Sequence, residues 1–111
     1  EGSHEQYNYF VKVLQKRKGW ARYGLVGLFT SFLKRLPEQD IERGLLELLK
    51  IAKEDPQWMV RLQAYRSIKT IQDKYRQSDQ DKDRATVIQT MLDEIKLLEK
   101  NPRLMDVYKN E

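Results

Sequence analysis

The chain contains 111 residues, of which 40% are hydrophobic and 34% charged, and its formal net charge is +4. This length corresponds to one domain, residues 1–111, with a core of its own, and we expect residues 1–4 to be disordered or a remnant of cloning. The absence of cysteine excludes disulfides and thiolate chemistry and leaves the redox compartment undecided.

Two helices are predicted at the start of the chain. Residues 5–17 place apolar side chains on one side of a helix and end in a basic cluster, which suits a helix C-terminus. Residues 20–36 form the most apolar segment, with large side chains on more than one face. We therefore expect the second helix to be the most enclosed element, with Phe32 in the core.

The stretch from residue 45 to residue 71 has the clearest pattern. On the incoming helix, apolar side chains recur at the spacing of a core-facing stripe: Leu45, Leu48, Leu49 and Ala52. Asp55 can accept a bond from the free N–H groups of the next helix, and Pro56 suits the first position of that helix. Two helices joined by so tight a corner are expected to run antiparallel.

The C-terminal part of the chain has one polar segment and two further elements. Residues 77–83 are polar and supply Ser78, Asp79 or Asp81 as a helix cap, so we predict a flexible loop there. Residues 84–100 form a fifth predicted helix, and a short final turn or helix follows.

A repeat connects the central and C-terminal parts of the sequence. A shift of 46 positions places Asp55-Pro56 on Asn101-Pro102, and a weaker match occurs at 39 positions. Helical hairpins that recur every ~40–47 residues are typical of solenoids. We therefore predict an all-α fold, a short right-handed α-solenoid of antiparallel helical hairpins with five to six helices.

The segment LLELLKIAKEDPQWMVRLQAYRSI resembles a HEAT repeat. It has an apolar helix, an Asp-Pro corner, and a Val-Arg pair followed by spaced small and aliphatic residues. The resemblance implies a structural corner formed by Asp55, Pro56 and Arg61. In that family the corner acid and the helix arginine often bond between neighbouring repeats.

The final segment EKNPRLMDVYKN is similar to the C-terminal HEAT-like region of some zinc aminopeptidases of the gluzincin class. This resemblance implies that the chain is an excised, non-catalytic domain of a larger peptidase. The zinc motif His-Glu-x-x-His of that family is absent. Neither a metal site nor peptidase activity therefore carries over to any residue here.

The sequence offers no catalytic, cofactor-binding or metal-binding residues. His4 is the only histidine, whereas a zinc site needs three or four converging ligands. The alternating acids of residues 79–83 resemble the start of a calcium loop, but Arg84 and Thr90 occupy the positions that require glycine and glutamate. No apolar run approaches the roughly 20 residues of a membrane span, so no membrane-spanning segment is expected.

Charge is the remaining indication of a binding surface. Residues 1–36 carry seven Lys or Arg against two Glu, a net charge of +5. This part of the chain and the following corner supply a candidate interaction surface, which consists of Lys16, Arg17, Lys18, Trp20 and Trp58. Its basic side chains either are solvated at the end of a helix or contact phosphates of a nucleic acid. Its aromatic rings either pack against the protein or stack on bases.

Two classes of function are consistent with these observations. The first is a non-catalytic interaction or scaffold domain whose partner is a protein, either a parent catalytic domain or another protein. The alternative is a nucleic-acid-binding HEAT-like domain that uses a basic face. An enzyme without cofactor or metal is the interpretation that the sequence supports least.

Overall fold

The computed structural model describes the backbone of residues 2–111 and the side chains from residue 4 onward. The helices are α1 (Gly2–Lys16), α2 (Gly19–Leu33), α3 (Glu38–Glu54), α4 (Trp58–Arg76), α5 (Lys82–Leu98) and α6 (Pro102–Lys109), with a 3₁₀ turn at Asp79–Asp81. Residues 2–111 contain no β-strand, so the predicted all-α class is confirmed. Residues 1–4 were expected to be disordered or a remnant of cloning. Residue 1 and the side chains of residues 2 and 3 lie outside the described part of the chain, and the backbone of residues 2–4 belongs to α1.

Several predicted boundaries differ from the structure; α2, for example, ends at Leu33 and was predicted to reach residue 36. The helix α4 begins at Trp58, and Pro56 lies in the bend before it, because Gln57 takes the extended backbone of an N-cap residue. Residues 77–83, predicted to be a loop, hold the 3₁₀ turn and the start of α5 at Lys82. Acidic residues stabilise the first turn of a helix, so a polar composition does not by itself indicate irregular backbone.

The most enclosed helix is α4, not α2. Nine α4 side chains are buried: Val60, Leu62, Ala64, Tyr65, Ser67, Ile68, Ile71, Gln72 and Tyr75. This helix packs against α2, α3 and α5, and α6 joins it where the rings of Tyr65 and Tyr108 lie 4.2 Å apart. By contrast, α2 leaves Leu28 exposed and Phe32 only partly buried. The apolar composition of a helix therefore did not predict how many other helices pack against it.

The six helices form a thin slab of 42 × 37 × 16 Å. Along the slab, α3 contacts α1 and α5, and α2 contacts α4. A helix with its side chains measures about 10–12 Å across. The smallest extent of 16 Å therefore leaves room for no more than one pair of helices. The two broad faces of the slab therefore make up most of its surface.

Two glycines within helices have opposite surroundings. A Cβ atom added to Gly44 of α3 would collide with the side chain of Leu33, which is fully buried. The same atom on Gly24 of α2 would meet nothing within 4 Å. Because glycine lowers the stability of a helix, Gly24 and Gly27 in the sequence predict the close approach of a neighbouring helix. The structure shows such an approach at Gly27, where an added Cβ would lie 3.1 Å from Gln63 Nε2, and at Gly44, but not at Gly24.

Alanine substitutions at these glycines are expected to have opposite effects. Gly24→Ala should raise the free energy of unfolding by about 0.5–1 kcal/mol, because alanine favours the helix and the site is open. Gly44→Ala should lower it by about 1–3 kcal/mol, because overpacking against Leu33 outweighs the helix preference. Urea denaturation of both variants measures the two shifts. A stabilising effect of Gly44→Ala would show that α2 and α3 are not in close contact.

Candidate interaction surfaces

The corner between α3 and α4 is organised by the carboxylate of Asp55. Its side chain is only 2% exposed. Oδ1 accepts a bond of 2.7 Å from Arg22 Nη1 of α2, and Oδ2 accepts a bond of 2.9 Å from the backbone N–H of Gln57. Asp55 thus connects the end of α3, the start of α4 and the side of α2. Both carboxylate oxygens take part in bonds that hold these three helices together.

A second corner, between α5 and α6, repeats this arrangement with Glu99. Arg61 of α4 donates from Nε and Nη2 to the two carboxylate oxygens over 2.9 and 2.8 Å. Glu99 Oε2 also accepts the backbone N–H of Asn101 over 3.0 Å. Like Asp55, Glu99 follows the last residue of a helix and is 2% exposed in its side chain. The repeat at 46 positions had matched Asp55 with Asn101, whereas the contacts give its role to Glu99.

Arg61 bonds to both corners. Its Nη1 donates to the main-chain oxygen of Asp55 over 2.7 Å, while Nε and Nη2 hold Glu99. The resemblance had implied that Asp55 and Arg61 bond between neighbouring repeats. In the structure, the carboxylate that binds Arg61 is Glu99, which follows α5, and the cation that binds Asp55 is Arg22 of α2. Pro56 is exposed in the bend and makes no polar contribution to these bonds.

The pKa of the Glu99 carboxyl reports how strongly this corner is held. Burial alone would raise that pKa. The bonds donated by Arg61 and by the backbone N–H groups of Lys100 and Asn101, together with the charge of Arg61, outweigh burial and hold the pKa below its usual value of 4.5. The same ion pair raises the pKa of the Arg61 guanidinium. Both groups are therefore charged in the folded protein at neutral pH.

Acidification is expected to remove the stabilisation that Glu99 supplies. Because its folded pKa is depressed, this contribution is fully present above the usual value of 4.5 and is lost as the pH falls through the folded pKa. The urea midpoint should therefore fall more steeply between pH 6 and pH 2 in the unmodified chain than in Glu99→Gln. The other carboxyls titrate in both chains, so the difference isolates Glu99. Parallel curves would contradict the depressed pKa.

The predicted interaction surface lies on the edge that carries the corners. Lys16, Arg17 and Lys18 are exposed at the connection between α1 and α2. Trp20 is 71% exposed and meets Tyr23 edge to face at 5.3 Å. Trp58, the first residue of α4, is 45% exposed. The bond between Arg22 and Asp55 brings the first turn of α2 close to the corner that precedes Trp58.

Sequence reasoning missed a groove between α3 and α5. It has a volume of about 360 Å³ and a largely apolar lining formed by Leu45, Leu46, Tyr75, Val87, Ile88 and Met91. Glu42, Asp83 and Arg84 stand around its mouth. A second, more polar hollow of about 660 Å³ lies between α1 and α3. The sequence signal was the pair of apolar residues, Leu46 and Val87, outside the core-facing stripes of their helices.

The described residues offer no arrangement for metal chemistry or for crossing a membrane. Among them, no three or more His, Cys, Asp or Glu side chains are grouped so that they could hold a metal ion. None of the helices within residues 2–111 is long and apolar enough to span a membrane, as the sequence predicted.

The chain was compared with family models, with curated proteins and with solved structures, and nothing in any of the three matched it.

Proposed function

We propose that this chain is a non-catalytic helical-repeat domain of HEAT-like form that serves in protein interaction or scaffolding. The observation that carries the proposal is the repetition of one buried ion pair. Arg22 reaches Asp55, and Arg61 reaches Glu99, over 33 and 38 residues of chain. In both cases an arginine of the second helix in one pair reaches the acid at the corner of the next pair.

The helix contacts support the same proposal. Antiparallel hairpins α1–α2, α3–α4 and α5–α6 stacked side by side would place α3 between α1 and α5, and α4 beside α2, in agreement with the observed contacts. In such a stack each repeat buries its apolar face mainly against its neighbours, and extended outer surfaces remain for partners. The thin slab of 42 × 37 × 16 Å has this form.

A special form of the proposal is the C-terminal domain of a larger zinc aminopeptidase. In support, α5 ends in two exposed leucines, Leu97 at 84% and Leu98 at 51%, where a further domain could pack. Extension of the coding sequence in both directions tests this form. A His-Glu-x-x-His motif upstream of the chain is expected. Stop codons that bound the reading frame without such a motif would exclude the peptidase form.

If the chain belongs to a larger peptidase, as the special form proposes, the interaction role is tested with the two parts of that parent protein. We expect the isolated chain to fold, to show no hydrolysis of aminoacyl-nitroanilide substrates with added zinc, and to associate with the separately expressed remainder of the parent in sedimentation velocity. Turnover by the isolated chain would contradict the non-catalytic assignment. Two parts that fold but do not associate would contradict the interaction role.

A second candidate function, nucleic-acid binding, is favoured by the exposed ring of Trp20 beside three exposed cations. A ring that is 71% exposed next to Lys16, Arg17 and Lys18 can stack on a base while the cations contact phosphates. Fluorescence anisotropy with labelled single-stranded RNA at low and high salt tests it. Binding that weakens with salt and is lost in Trp20→Ala would support this function. An absence of binding at low salt would exclude it.

A further inference from the structure

The groove between α3 and α5 is open at its rim and apolar below. Leu46 of α3 is 60% exposed and Val87 of α5 is 57% exposed, and they stand on opposite sides of the groove. Below them lie the buried side chains of Leu45 and Ile88, and Met91 is partly buried. The volume of about 360 Å³ is within the range of ligand-binding clefts and admits two or three apolar side chains.

The mouth of this groove is acidic although the chain as a whole is basic. Glu42 and Asp83 are exposed carboxylates at the rim, and no ion pair joins either of them to another of the described residues. The cation at the mouth, Arg84, is already paired with Glu38 over 2.8 Å and with Asp81 over 3.7 Å. Two carboxylates thus pair with this guanidinium, and Glu42 and Asp83 add two further negative charges to the groove lining, in a chain whose net charge is +4.

The sides of the groove are held at a fixed separation at this end. Glu38 of α3 accepts a bond of 2.6 Å from the hydroxyl of Tyr75 in α4 and pairs with Arg84 of α5. One carboxylate therefore joins the three helices that line the groove. Because these bonds join the helices that line the groove, binding requires little ordering of the protein, which favours affinity.

We propose that this groove binds an amphipathic helix of a partner protein, which inserts apolar side chains between α3 and α5 and places a lysine or arginine against Glu42 and Asp83. The inference rests on the proposed interaction function and specifies its partner. Helical ligands enter hydrophobic grooves through side chains spaced at i, i+3 or i+4, and i+7. The acidic rim selects a basic partner because an acidic one would place like charges together.

Two synthetic helical peptides of about 18 residues test the proposal. Both carry leucines at i, i+4 and i+7, and they differ in whether lysine or glutamate flanks the leucines. Fluorescence anisotropy with the full chain is expected to show at least about tenfold tighter binding of the lysine peptide. In Glu42→Lys/Asp83→Lys the preference should reverse. Equal affinities of the two peptides for the unmodified chain would overturn the proposal.

Matched variants locate the binding site. Val87→Asp, which changes an exposed side chain of this groove alone, should weaken the lysine peptide about tenfold or more. Thr90→Asp introduces the same charge at an exposed position of the same helix, outside the groove lining, and should leave binding unchanged. Circular dichroism checks that both variants are folded. Equal weakening of peptide binding by the two variants would place the site elsewhere. So would a loss of peptide binding in Leu46→Asp without a loss in Val87→Asp, because Leu46 also lines the hollow beside α1.

Two further results separate this inference from the proposed function. If neither peptide binds but the chain associates with the remainder of its parent equally well with and without Val87→Asp, the groove proposal is wrong and the interaction function stands. If the chain self-associates in sedimentation equilibrium and Val87→Asp abolishes this, the occupant is a second copy and the partner helix is excluded. Failure of both peptide binding and parent association would contradict both proposals.

Discussion

Replacement of Phe29 by alanine is expected to lower the free energy of unfolding by about 3–5 kcal/mol. The Phe29 side chain is fully buried in α2, and its ring lies 5.8 Å from the rings of both Tyr7 and Phe10 in α1. Its removal would leave a cavity where the first two helices meet. These helices share few other contacts, so the loss of this ring also weakens the attachment of α1 to α2.

The neighbouring phenylalanine of the same helix provides a matched control. Phe32 stacks on Phe10 at 5.0 Å but is only partly buried. Phe32→Ala should therefore cost about 1–2 kcal/mol, less than the full core penalty that the apolar sequence of this helix had led us to expect. Guanidinium denaturation of both variants at one temperature measures the difference. A larger cost at Phe32 than at Phe29 would show that α1 packs on a different face of α2.

Replacement of Arg61 by alanine is also expected to cost about 3–5 kcal/mol, although the residue is a charged one. Its loss leaves Glu99, which is 2% exposed in its side chain, as a buried carboxylate without its cation. The bond to the main-chain oxygen of Asp55 is lost as well. Arg66→Ala is the control, because Arg66 pairs with Glu111 on the surface and should contribute less than about 1 kcal/mol.

The cause of this cost can be separated from the loss of packing. Arg61→Met combined with Glu99→Leu removes both charges and keeps similar volume, so it should recover most of the stability that Arg61→Ala loses. Urea denaturation of Arg61→Ala, Arg66→Ala and the double variant measures the comparison. If Arg61→Ala and Arg66→Ala cost the same, the buried pair would not be structurally important, and the main support for the repeat proposal would be lost.

Local patterns were sufficient to predict most of the helices. The apolar spacing before Asp55 predicted the C-terminal part of α3, because a core-facing stripe has the period of the helix itself. The Asp-Pro corner predicted a second helix from Pro56, close to the observed start of α4 at Trp58. Enclosure could not be predicted in the same way. The second helix is the most apolar in sequence, yet α4 is the most buried, because burial depends on how many helices pack around an element.

The sequence also could not predict which side chains bind the acids at the two corners. Asp55 was recognised as a corner acid, but its cation, Arg22, is 33 residues away. Glu99 was not singled out, although it stands two residues before the N-cap residue Asn101, as Asp55 stands two residues before Gln57. That spacing is the signal that could have identified it. A linear match of residue types instead selected Asn101.

The sequence by itself determined the helical class, the helix-to-helix corners, and the exposed basic cluster at Lys16–Lys18, because helix period, proline geometry and charge act within a few residues of one another. Only the tertiary structure decided which arginine pairs with which acid, which helix lies at the centre, and that Leu46 and Val87 form the two sides of one groove. These features depend on contacts between residues 30 to 40 positions apart, and the packing of the helices alone brings such residues together.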